Sequence, residues 1–269
     1  MSLELLGYAG AVLMGISLGI FGGGGSTLTV PILVYLFHQD PVTATGLSLF
    51  LVGATSAAGL FAHHRQGNIE WRTAAVFGAA SLISVFATRR WLLPALPDPL
   101  FHLGGIVVGK GVFILGLFAV MMVFSARRMI RRDPGADSAA AVRPHATLRL
   151  VLNGIGVGLL TGILGAGGGF LIVPALVLLA GMDVKRAVGT SLFIITANSF
   201  IGFLGDTQVH LADHAGLLLP FLALAVAGII AGSRASKRLQ SARLRPAFGW
   251  FLAAMGAFII VRELWTLMG

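Results

Sequence analysis

The side chains with binding chemistry to offer fall into two matching groups. Ser26 and Thr27 close the glycine run Gly22 to Gly25, and Ser48, Thr55 and Ser56 follow on the next apolar stretch. In the second half Thr190, Ser191, Asn198 and Ser199 stand on a similar stretch, behind Gly165-Ala166-Gly167-Gly168-Gly169-Phe170. Ser48 and Thr55 are seven residues apart, so a helix puts them on one face, and Ser191 and Asn198 repeat that spacing. Hydroxyls and an amide can donate hydrogen bonds to an anion. None of them stands in a convincing nucleophile–base arrangement. There is no nucleotide-binding loop after a strand, no zinc-protease motif, and no Lys-Ser/Thr ending to either glycine run, so neither catalysis nor a cofactor is expected.

The glycines decide where these groups can sit. Each run lies inside a long apolar stretch, where every glycine costs a helix about 1 kcal/mol relative to alanine. The helix is expected to break there. Within a membrane, broken backbone is tolerated only where protein buries it or where it lines a polar cavity. The N–H groups freed at the break, and the positive end of the short helix that follows, make a ready anion site. The candidate binding residues are therefore Gly23, Gly24, Gly25, Ser26, Thr27, Ser48 and Thr55 in the first half. Those of the second half are Gly167, Gly168, Gly169, Phe170, Ser191 and Asn198. Small residues also pack membrane helices against one another, which is the plainer role for any single one.

Lys110 joins the candidates. It lies ten residues beyond Leu100, about 15 Å into a span that starts there, and an ionisable group at such depth is a functional candidate because of its cost. If the span starts later, Lys110 instead reaches an interface. His63 and His64 read as interfacial, Asp206 as an external loop acid, and Asp40 and Asp183 as helix caps. Trp71, Trp91, Trp250 and Trp265 fit interfacial anchoring.

Composition makes the membrane the setting. Of 269 residues, 57% are hydrophobic and 11% charged, with mean hydropathy +0.91, against about 45–50% and 25% in soluble domains. The net charge of +9 fits basic cytoplasmic loops better than nucleic-acid binding. Cysteine is absent, which excludes disulfides and thiolate metal sites. No signal peptide is apparent at Met1-Ser2-Leu3-Glu4.

Sliding the chain by 143 positions reveals a duplication. About 20 of the 42 positions from Gly19 to Leu60 then match without a gap, including Gly22 with Gly165, Pro31 with Pro174, Asp40 with Asp183 and Ser48-Leu49-Phe50 with Ser191-Leu192-Phe193. The first repeat takes residues 1–132, a polar linker 133–146, and the second repeat 147–269. Each is expected to hold a Gly-broken helical hairpin and three transmembrane helices, in the first half near 41–62, 72–88 and 101–125. Basic residues on either side of the linker place it in the cytoplasm. Counting outward from it puts both termini outside and makes the halves inverted repeats, with Arg89 and Arg90 outside against the rule and able to snorkel at a helix end. Two parallel sets of four full spans are the alternative. The fold class is an all-α polytopic membrane protein.

The paired glycine hinges, the Val-Pro after each, and the element Asp-x-x-x-Ala-x-Gly-x-Ser-Leu-Phe at Asp40–Phe50 and Asp183–Phe193 resemble the sulfite exporter TauE/SafE family of bacterial membrane permeases. The resemblance covers nearly the whole chain. It implies a secondary carrier, by family name an exporter, in the bacterial inner membrane, moving small sulfur-containing or organic anions such as sulfite or sulfoacetate. A coupling proton and a homo-oligomer are open possibilities, and the bilayer is the remaining partner. The halves depart from symmetry where Gly23 faces Ala166 in the alignment and Ser26 faces Gly169. A cation or metal carrier and a non-transporting assembly factor are the alternatives. Sparse intramembrane carboxylates disfavour the first, and two duplicated polar breaks disfavour the second.

Overall fold

The computed structural model describes residues 3–64, 67–103, 106–131, 146–236 and 241–268. Among them the chain forms two sets of five helices. The first is α1 (Leu3–Phe21), α2 (Ser26–Tyr35), α3 (Pro41–His64), α4 (Trp71–Ala95) and α5 (Lys110–Arg131). The second is α6 (Ala146–Leu164), α7 (Gly169–Leu178), α8 (Val184–Gly205), α9 (Ala215–Ser236) and α10 (Ser241–Met268). Eight of these segments are long and apolar enough to cross a membrane, while α2 and α7, ten residues each, are not. The one departure from helix of any regularity among the described residues is an antiparallel ribbon, β1 (Phe101–Leu103) with β2 (Ile106–Val108).

That ribbon corrects the expected span boundaries. The helix placed from Phe101 begins at Lys110 instead, because the preceding residues pair as strands. The third span runs on past Thr88 to Ala95 through a π-helical turn at Thr88–Leu92. The linker assigned to 133–146 lies outside the described residues except for Ala146.

The sequence sets the breaks and caps in the same way in both halves. α1 stops at Gly22 and α6 at Gly165, aligned positions with φ of 73° and 68°, a left-handed conformation that glycine adopts at no steric cost. After the short helices the chain turns again through His38 and Gly181, also aligned and also at positive φ. Asp40 then accepts from the N–H groups of Val42 and Thr43, and Asp183 from that of Lys185. Both aspartates thus cap the helix that follows.

Each half reaches into the other. α1 runs along α9 in the same direction: Gly15 abuts the Ala225 carbonyl, Gly19 abuts Ile229 and Ser233, and Gly228 and Gly232 return the contact against Val12 and Ile16. α6 runs along α4 in the same way, with Gly154 against Phe77, Gly158 against Ser81 and Gly162 against Thr88. These are small-xxx-small interfaces in which backbones touch. The aligned helices α3 and α8, by contrast, pack antiparallel, Gly46 beside Asp206, Gly202 beside Leu49 and Gly53 beside Ser199. α5 and α10 also pack antiparallel, Gly249 against Met129 and Ile130, Gly256 against Met122 and Val123. The outward faces carry exposed Leu13, Ile83, Val120, Leu159, Leu219 and Val261, and all four tryptophans are exposed, as a lipid-facing surface requires.

A Cβ at Gly19 would lie 2.6 Å from both the Ile229 carbonyl oxygen and the Ser233 nitrogen, backbone atoms that cannot swing aside. Gly19→Val is expected to cost about 1–3 kcal/mol by overpacking and to lower the melting temperature in detergent. Gly116→Ala, where nothing lies within 4 Å, is expected to leave it unchanged or raise it.

Candidate functional site

The two glycine breaks meet at the centre of the fold. A Cβ on Gly23 would strike the Gly169 carbonyl, and one on Gly169 would lie 2.5 Å from the Gly23 Cα. This close approach gives the broken symmetry between the halves a physical reason. The contact leaves no room for a side chain at either partner, so Gly23 and Gly169 are both glycine, whereas their counterparts Ala166 and Ser26 carry side chains that are fully buried.

Around this contact the donors divide into spent and unspent. Gly22 N–H donates to Leu18, Gly23 N–H to Phe21 and Gly165 N–H to Thr161. Those of Gly24, Gly25, Ala166, Gly167 and Gly168 make no backbone hydrogen bond. The hydroxyls of Ser26 and Thr27 donate back to the carbonyls of Gly23 and Gly24, at 2.7 and 2.6 Å. They brace the first hinge and have no hydrogen left for a ligand. Ser191 lies beside Gly22 but donates to the Val188 carbonyl. Ser48, Thr55, Ser56 and Ser199 are fully buried with hydroxyls that have no partner among the described residues, an uncommon state for a buried polar group.

The expected stripe therefore splits. Asn198 turns away from the hinges to accept from Ser81 on α4 at 3.0 Å, leaving its own Nδ2 unpartnered. Its neighbour Ser199 faces the second hinge, with Oγ 2.6 Å from where a Gly167 Cβ would be. Phe170 is fully buried and packs edge-on against Phe118. Lys110, half-buried, starts α5, and its backbone N–H donates to Asp98. It stands at a helix end, not ten residues within a span. His63 is buried, at 2% exposure, and its neighbour His64, the last residue of α3, is exposed.

The largest correction concerns Arg89 and Asp206. An exposed snorkelling arginine and a loop acid were expected. They instead form an ion pair, Nη1 to Oδ2 2.9 Å, with side chains 0% and 5% exposed. Arg89 comes from the π-helical turn of α4, a local widening common at functional sites, and Asp206 directly follows α8. Arg89 Nη2 lies against Gly165, 2.5 Å from its missing Cβ, and Asp206 against Gly46. Its signal in the sequence was the breach of the charge rule itself. An arginine on the wrong side of a membrane protein needs a reason, and a buried partner is one.

Comparison with known proteins agrees with a membrane protein of transporter type. The profile of the sulfite exporter TauE/SafE family matches residues 8–259. A probable membrane transporter protein of Xylella fastidiosa is 29% identical over 259 residues, covering 93% of this chain and 92% of its own. The probable membrane transporter protein YdhB of Bacillus subtilis is 25% identical, covering 92% and 96%. One from Methanocaldococcus jannaschii is 26% identical, covering 93% and 92%. No solved structure matches.

Because the hinge contact admits no side chain on one diagonal only, the two aligned positions are expected to respond unequally. Gly23→Ala should lower the melting temperature and abolish any transport, whereas Ala166→Gly should lower stability by no more than about 1 kcal/mol, the backbone-entropy cost of a glycine. Melting curves of the two purified variants check this.

Proposed function

The chain belongs to the sulfite exporter TauE/SafE family, and from this we propose that it is a secondary carrier of small sulfur-containing or organic anions, such as sulfite or sulfoacetate, bound between the two glycine breaks. At the coarser level it is a multi-pass membrane transporter, as the family and its relatives are named. The observation that carries the anion reading is the meeting of the hinges at Gly23 and Gly169, with unspent N–H groups on both sides and buried, unpartnered hydroxyls next to them. Donors without acceptors suit an anion and repel a cation.

An inverted arrangement of the halves is part of the proposal. If equivalent helices ran the same way through the membrane, α3 and α8 could not pack antiparallel as the pairings Gly46–Asp206 and Gly53–Ser199 have them, nor could α5 and α10. Their antiparallel packing supports a two-fold axis in the membrane plane, the layout in which paired broken helices build a central substrate site. With the basic linker inside, both termini lie outside. Coupling to protons or to the membrane potential would set the direction of flow, with export the family's implied direction.

The test is thermal stabilisation of the purified protein by sulfite, sulfate, thiosulfate, sulfoacetate, taurine, acetate and divalent cations. An anion at about 100 times its Kd should add about 2.7 kcal/mol to native stability. Gly167→Val, which forces a β-branched residue into φ 63° against Ser199, should abolish that response. Stabilisation by cations alone would favour a cation carrier, and no response would favour an assembly role.

A further inference from the structure

The anion reading leaves the counter-charge unassigned, and Arg89 is placed to supply it. Its guanidinium is fully buried, yet only Nη1 is engaged, by Asp206. Nε and Nη2 have no partner. Those two nitrogens form the side-on edge of the guanidinium, whose parallel N–H groups fit two oxygens of one carboxylate, sulfite or sulfonate. The edge reaches the second hinge: Nη2 lies 2.5 Å from the position of a Gly165 Cβ, in a corner closed by Thr45 of α3. Gly165 is held at φ 68° there, and any side chain on it would collide with Arg89 Nη2 and Thr45, so its glycine lets the hinge backbone lie directly against the arginine.

The duplication sharpens the argument. The Val85 carbonyl lies against Gly162 as the Ile229 carbonyl lies against Gly19, so four residues further on the place of Arg89 in α4 is taken by Ser233 in α9. His63 aligns with Asp206. An ion pair needed simply to hold two repeats together would be expected at both ends of the pseudo-two-fold, and it is present at one. A buried arginine with two of its three side-chain nitrogens idle is costly unless something else uses them.

We infer that Arg89 binds the transported anion through its Nε–Nη2 edge beside the Gly165 hinge, with Asp206 orienting the guanidinium and partly neutralising it. The inference rests on the anion-carrier reading and identifies its cationic ligand. It predicts a small oxyanion that presents two oxygens in one plane, and disfavours halides and neutral solutes.

The effect of Asp206 gives the test its sign. Asp206→Asn keeps an oxygen for Nη1 but removes the competing negative charge, so an oxyanion should bind tighter and rescue the variant's lowered stability. The double variant Arg89→Gln/Asp206→Asn removes both charges together, so neither is left buried without its partner, which protects its fold, and should bind about tenfold or more weaker, the loss expected for a hydrogen-bonded charged group. Arg89→Lys keeps the charge without the fork and should fall between. Affinities would be measured by titrating sodium sulfite, sodium acetate and sodium chloride at constant ionic strength into purified protein, with melting temperatures in parallel. Tighter sulfite or acetate binding in Asp206→Asn, and its loss in the double variant, supports the assignment. A folded double variant that binds as the wild type does, or weaker binding in Asp206→Asn, overturns it while leaving the carrier reading intact. A wild type that binds neither oxyanion, or prefers chloride to both, overturns it as well, and the absence of all anion binding removes the carrier reading with it.

Discussion

The contact between Gly23 and Gly169 governs the rest of this structure. Two backbones approach closely enough to exclude any side chain, and they do so where each chain has left its helix. The peptide groups at such a place have no regular partner, and in an apolar surrounding that is expensive. Everything nearby is arranged to meet that cost. Ser26 and Thr27 return their hydroxyls to the first hinge, and Gly22 and Gly165 absorb the left-handed turns.

Holding two hinges in register demands more than local geometry. α1 packs on α9 and α6 on α4, so each hinge is delivered by a helix clamped in the opposite half. The glycines on these helices serve backbone contact, and those at the hinges serve contact at Gly23 and Gly169 and conformation at Gly22, Gly165, Gly167 and Gly168. One residue type performs both tasks, which is why 37 glycines are compatible with a helical protein. Because α1 and α6 are each gripped by the other repeat, neither hinge is held by its own half alone.

Arg89 shows how charge is admitted to this setting. A buried guanidinium is tolerable with an acid beside it, and Asp206 is brought there because α8 runs along α4 in the same direction and ends at the π-helical turn. Thr45, Arg89 and Ser199 of α3, α4 and α8 thus lie against the second hinge, while Gly24 of the first hinge is bounded by Phe21 and Phe248. The duplication supplies a symmetric frame, and the chemistry on it is asymmetric.

The sequence by itself determined the membrane class, the duplication, the two breaks and their caps, since these depend on local features: apolar runs, glycine where φ must be positive, aspartate before a helix. It also marked the hydroxyl positions as a group. Only tertiary packing decided which of them have hydrogens to donate, because Ser26, Thr27 and Ser191 spend theirs on carbonyls nearby while Ser48, Thr55 and Ser199 meet no acceptor. It also decided that Asn198 faces Ser81 while Ser199, one residue on, faces the hinge, a matter of helix rotation that a seven-residue spacing does not resolve. Lys110 and Arg89 exchanged places for the same kind of reason. A ribbon of six paired residues shifted the start of α5 to Lys110, and a contact across 117 positions of chain buried Arg89 against Asp206. Hydropathy sums over neighbours in sequence. The cost of burying a charge depends on neighbours in space.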